Sequence, residues 1–150
     1  MRIEEAIKQK NPFRSEHQRL VVNLFYTANW VQDQHKAMFK PYGVTSQQYN
    51  VLRILRGQYP NPISTSDIRE RMLDKMSDVS RIVERLLKKK LLTRRVCKTD
   101  KRLVDVLITE DGLSLLTRMD TVMDVSDTHM LTLSEAEAQQ LNDLLDKLRG

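Results

Sequence analysis

The 150-residue chain is poor in several things that particular functions require. It has one cysteine, four glycines, four prolines and 5% aromatic residues. The lone Cys97 excludes an intrachain disulfide. Four glycines leave little room for a phosphate-cradling loop, and no C-x-x-C or H-x-x-x-H spacing offers a metal its ligands. His17 and His35 lie 18 residues apart, about 27 Å along a helix, so they share a face but cannot share an ion. His129 has only Val125, Ser126, Thr132 and Leu133 at helical neighbour positions. No nucleophile–base set or pair of carboxylates stands at catalytic spacing, so neither an enzyme nor a bound cofactor is expected. No apolar run could span a bilayer, and MRIEEAIKQK lacks the cationic-then-apolar form of a secretion signal. These absences point to a reducing, cytoplasmic setting with no membrane partner.

The sequence does have charge, unevenly distributed. Its composition, 40% hydrophobic and 30% charged, is that of a globular domain, and its net charge is +5. Residues 81–102 alone carry +8 and residues 103–150 carry −7, leaving +4 for the first 80. A local cationic excess of that size is what a surface meeting phosphates would show, although many charge runs are only solvated faces.

Apolar periodicity and punctuation divide the chain into elements. The first ten residues read as a short helix or a loose arm, cut off by NPF at 11–13. Residues 15–40 contain no proline or glycine and repeat Leu20, Leu24, Val31 and Met38, with Val21, Phe25 and Ala28, at helical spacing, which predicts a long helix ended by PYG at 41–43. Thr45 and Gln48 form a capping box for a helix to about Gly57, and Pro60 and Pro62 hold a connector open. Ile63 can sit in a short strand before STSDIRERML, a compact helix with Ile68 and Met72 inside. An LDKM turn leads to a helix over about 77–89 whose Val79, Ile82, Val83 and Leu86 form one stripe. Its other face is polar and cationic. Leu92 and Val96, then Val104, Val106 and Ile108, alternate as a half-buried ribbon, with KTDKR at its tip. Thr109 caps a helix to about Leu131, and Ser134 with Glu137 caps a last one striped by Leu141, Leu144, Leu145 and Leu148.

Two short helices joined by a turn, the second cationic outside and followed by a hairpin, describe a winged helix-turn-helix. The expected fold is mainly α with a small β-hairpin wing. The DNA-binding domain covers 43–109, flanked by dimerisation helices in 1–42 and 110–150. Those outer helices carry stripes that the small middle domain cannot cover, so a homodimer is expected, with intrachain packing of the three helices as the alternative.

The stretch SDVSRIVERLLKKKLLTRR, followed by D-K-R at 100–102, a strand and I-T-E-D-G at 108–112, resembles the MarR family of bacterial transcription regulators over about residues 20–148. Asp100 and Arg102 fit the family's D-x-R wing pattern, and Thr109 and Gly112 fit its L-T-x-x-G. Lys90 departs, standing where the family usually has glycine. The resemblance implies a homodimer that places two recognition helices in successive major grooves of a pseudo-palindromic operator and its wings in flanking minor grooves. Cys97 is not where the family's peroxide-sensing branch has its cysteine and is expected to be inert, although nearby cations could make it reactive.

The residues themselves suggest a division of labour. Arg81 can reach guanine O6 and N7 bidentately, while Ser77 and Ser80 are short donors for base edges or phosphates. Arg85 and Lys88, farther along, suit phosphate. Asp100 would orient Arg102 before it enters a narrow minor groove. Ser64, Thr65, Arg94, Lys98 and Lys101 complete the candidate DNA-binding set. Phe25, Tyr26 and Trp30, with Met119 and Met123, are the candidates for a small-molecule effector site, though such residues more often form core. The functional expectation is a dimeric DNA-binding regulator, acting as a repressor because a bulky dimer over a promoter blocks polymerase. The alternative is a winged-helix module that binds an acidic protein, which should show aliphatic or aromatic anchors on the same face; none is expected there.

Overall fold

A computed structural model describes residues 1–96, 104–130 and 132–150. Seven helices and three strands run in the order α1 (Ile3–Ala6), α2 (Glu16–Phe39), α3 (Ser46–Gln58), β1 (Ile63–Ser64), α4 (Thr65–Arg71), α5 (Val79–Lys88), β2 (Leu92–Val96), β3 (Val104–Ile108), α6 (Glu110–Met130) and α7 (Glu135–Arg149). The chain forms two compact units, Met1–Leu113 and Ser114–Gly150, with α6 beginning in the first and continuing in the second.

Local chemistry sets the helix starts. Ser15 accepts a hydrogen bond from the Gln18 amide at 3.2 Å to open α2. Thr45 and Gln48 exchange side chain and backbone bonds, each at 3.2 Å, to open α3. Between them a 3-10 turn over Lys40–Tyr42 ends at Gly43, whose φ of 67° is the left-handed conformation that glycine adopts without strain. The first residues are a short helix rather than a loose arm: Ile3 is buried, and Glu4 pairs with Arg19 of α2 at 2.8 Å.

The core of the first unit gathers the apolar faces of α3, α4 and α5 over the sheet. Leu52, Leu55, Ile68, Met72, Val79, Val83 and Leu86 are buried with Leu92 and Val106 of the ribbon. Phe39 closes one end against Tyr49, ring centroids 4.6 Å apart. The sheet is antiparallel in the order β1-β3-β2, with Ile63 opposite Val106 and Leu92 opposite Ile108. Val96 was expected to be half-buried in this ribbon and is instead 58% exposed. Its partner is Val104, whereas β1 reaches only Asp105 and Val106, so the ribbon has already run past the sheet edge that would cover it.

The corner joining α5 to the ribbon explains two motif positions. Lys90 has φ 61°, and its amide bonds to Leu87 O at 2.9 Å while the Leu91 amide bonds to Leu86 O at 3.1 Å. That pair of bonds is a Schellman ending with lysine in the left-handed place. Thr109 then donates its hydroxyl to Lys90 O at 2.8 Å and accepts the Gly112 amide at 3.1 Å. A Cβ on Gly112 would lie 2.3 Å from Leu91 O, so only glycine allows the start of α6 to approach this corner.

Candidate nucleic-acid interface

Helix α5 carries the candidate reading surface, and its sequence separates two faces cleanly. Val79, Val83 and Leu86 are buried, Ile82 is half-buried, and Ser80, Arg81, Arg85 and Lys88 are exposed. Arg81, Arg85 and Lys88 follow at i, i+4 and i+7, so three cations line one side of ten residues of helix. Asp78 is the N-cap: its carboxylate accepts the Arg81 amide at 3.0 Å, fixing the backbone from which the Arg81 side chain projects.

Ser77 is placed differently from expectation. The helix begins at Val79 rather than Ser77, because Asp78 supplies an anionic cap one residue closer to the positive helix end. Ser77 therefore precedes the helix, and its Oγ is shut from solvent with no hydrogen-bond partner in the structure. Ser64 is also occupied: its hydroxyl accepts the Asp67 amide at 3.1 Å and donates to Asp67 Oδ2 at 2.8 Å to cap α4. Thr65, next to it, is half-buried.

Arg94, itself exposed, lies on the strand face of buried Leu92 and pairs with Glu84 of α5 at 2.5 Å. Its position follows from register, since it lies two residues from buried Leu92 and on the same face of the strand. The pair ties the wing's first strand to the recognition helix and neutralises a cation counted toward the basic run. Lys89 is likewise turned away, donating to Gly43 O and to Gln48 Oε1, the latter at 3.1 Å. Arg95, on the opposite strand face, is exposed and was not among the expected contacts. Cys97, Lys98, Asp100, Lys101 and Arg102 lie outside the described residues.

The LDKM turn gives a result that the sequence reading missed. Met72 is buried, but Leu73 is 88% and Met76 92% exposed. The expectation that this face shows no aliphatic anchor is therefore corrected. Met76 lines a shallow groove of about 350 Å³ together with Gln47, Arg81 and Arg85. The available signal was that a short turn between two packed helices can bury only one apolar side chain of the M-L-D-K-M run.

A larger open cleft, about 1150 Å³, lies within the first unit between the end of α2, the start of α3 and the turn after α4. Lys36, Lys40, Val44, Leu73 and Lys89 are among its walls, and none of the five expected effector residues is. Phe25, Tyr26 and Trp30 stand exposed on α2. Met119 of α6 is wholly buried and Met123 half-buried. Among the described residues no group of three His, Cys, Asp or Glu side chains could hold a metal ion, and no helix is long and apolar enough to cross a membrane.

Three core helices, a three-stranded sheet and a cationic second helix of the turn define a winged helix-turn-helix protein. A family model for the MarR family matches residues 42–103, beginning at the end of the turn before α3. The HTH-type transcriptional regulator MhqR of Bacillus subtilis (strain 168) is 25% identical over 120 residues, covering 79% of this chain and 81% of that protein. Among solved structures, S. aureus MepR in complex with DNA superposes with a TM-score of 0.74 at 23% identity, covering 84% of this chain and 93% of that one. Bordetella bronchiseptica BpsR, whose DNA binding is regulated by 6-hydroxynicotinic acid, superposes at 0.68 with 26% identity, covering 85% and 99%. Over residues 42–103 the chain matches the MarR family, and over most of its length it is similar to a transcription regulator of the HTH type.

Proposed function

We propose that the protein is a homodimeric, sequence-specific DNA-binding repressor of the cytoplasm, relieved by a small organic effector. The observation that carries this reading is the α5 surface: a fully packed helix keeps Ser80, Arg81, Arg85 and Lys88 in solvent on its one free side. Arg81 reads a guanine through its two acceptors and Ser80 contacts a neighbouring base edge or phosphate. Arg85 and Lys88 hold the phosphate backbone. The wing cations Lys98, Lys101 and Arg102, with Asp100 orienting the last, enter the flanking minor groove. Arg94, engaged with Glu84, braces the wing, Ser64 caps α4, and the Ser77 hydroxyl is shut from solvent and so from the ligand.

Two copies are needed because the outer helices are unfinished surfaces. In α2, 24 residues long, only Phe39 is buried, and α7 has no buried residue. Pairing two chains covers such stripes and sets two α5 helices against half-sites one helical turn apart in a pseudo-palindromic operator. An effector of the class that regulates BpsR, a small aromatic acid, would find exposed Phe25, Tyr26 and Trp30 on α2. Selection of binding sites from random duplex DNA with the full chain tests the reading. Enrichment of a two-fold-related sequence is expected, and enrichment of none would leave the acidic-protein module as the better account.

A further inference from the structure

The exposed methionine at the entrance to α5 is a costly place for an apolar side chain, and its surroundings indicate what covers it. Met76 stands 92% exposed just before the helix, while three backbone amides of its turn are held by hydrogen bonds. Its own amide bonds to Asp74 Oδ1 at 3.0 Å, the Ser77 amide to Asp74 O at 3.2 Å, and the Leu73 amide to Asn50 Oδ1 at 2.9 Å. The turn is thus rigid, and it holds the thioether out from the surface. A loose loop would have let the side chain fold back.

Met76 shares its groove with Arg81 and Arg85, so whatever the cations meet, it meets too. A protein partner would need a cluster of apolar anchors with charges kept to the rim. Here one exposed unbranched side chain stands beside Arg81 and Arg85. The groove's Asp74 and Asp78 are engaged by the Met76 and Arg81 amides, and Leu73, the turn's other exposed apolar residue, lines the separate larger cleft. The floor of a major groove has the complementary composition, hydrogen-bond acceptors for arginine and a single kind of apolar group, the thymine C5-methyl. Methionine, flexible and polarisable, suits contact with one methyl approached at a variable angle.

We propose that Met76 is a specificity-determining residue that packs on the C5-methyl of a thymine beside the base read by Arg81; this rests on the DNA-binding reading above. Because the turn is already ordered, little entropy is lost when the contact forms. The contact specifies thymine against cytosine, and also against uracil, which differs from thymine by that methyl alone.

The test begins with the best duplex selected from random DNA by the parent protein. Each thymine is replaced in turn by deoxyuridine, and affinity is measured for the parent and for Met76→Ala, a substitution at a solvent-exposed site. One thymine in each half-site is expected to be methyl-sensitive, its replacement weakening the parent about three- to fivefold, the effect of removing one buried methyl. Met76→Ala should bind thymine and uracil duplexes equally at that position while keeping the parent's preference at the guanine. Methyl sensitivity that survives in Met76→Ala, or a parent indifferent to every replacement, overturns the inference and leaves DNA binding standing. Failure to select any sequence overturns both.

Discussion

Two residues show how single positions decide stability and recognition separately. Lys90 ends α5 with φ 61°, where a Cβ crowds the backbone and glycine would not. Nothing in its hydrogen bonding needs the side chain, because both Schellman bonds are made by main-chain amides. Lys90→Gly should therefore stabilise the fold by about 1 kcal/mol, read as a higher urea midpoint at unchanged m-value. Arg81 is the opposite case, an exposed side chain that the fold does not use beyond its amide. Arg81→Ala should leave the unfolding midpoint unchanged and weaken the selected duplex by about 1–3 kcal/mol, with relaxed preference at one base per half-site. Equal losses on specific and random duplexes would show that Arg81 holds phosphate instead.

At the scale of elements, legibility followed the strength of the local signal. The capping boxes at Thr45 and Ser134 and the stripe of Val79, Val83 and Leu86 were readable, because each is a short-range pattern with one physical meaning. The start of α5 was misplaced because Ser77 and Asp78 are both good caps, and the choice depends on how the preceding turn is held by Asp74. The engagement of Arg94 with Glu84 and of Lys89 with Gln48 was not legible, since it is set by tertiary packing that no window of sequence contains. The cap of α7 makes a pH prediction. The backbone amide of Ser134, then its hydroxyl, hydrogen-bond the Glu137 carboxylate and hold its pKa below the ordinary glutamate value. A depressed folded value means that the cap supports the helix above the ordinary carboxylate range and loses that support as pH falls through the folded value. Carboxyl NMR titration should put the Glu137 midpoint below that of other exposed glutamates, and Ser134→Ala should raise it. An unchanged midpoint in that variant would show that the Ser134 amide alone holds the carboxylate.

Across the whole molecule, the sequence places its cations and its uncovered apolar surface in different segments. Basic excess is concentrated in 81–102, whereas the final 48 residues are acidic overall and contain a leucine stripe that stays in solvent. On the proposed function, phosphate binding and self-association use separate surfaces, and they can be broken separately. In α7, Leu141, Leu144 and Leu148 are 45%, 57% and 56% exposed, an arrangement that a lone chain in water does not favour. Light scattering at micromolar concentration should return about twice the chain mass of 17.6 kDa. Replacing Leu144 and Leu148 together by glutamate places charge on the stripe without touching α5 or its core, so the variant should be a folded monomer. Weak, salt-dependent binding to any duplex should persist in it, because each wing and helix keeps its cations. Tight binding to the two-fold site should fall by orders of magnitude, since the second half-site no longer gains from linkage to the first. A variant that remains dimeric would move the interface away from α7, and a monomer that binds the full site as tightly as the parent would refute the two-half-site mechanism.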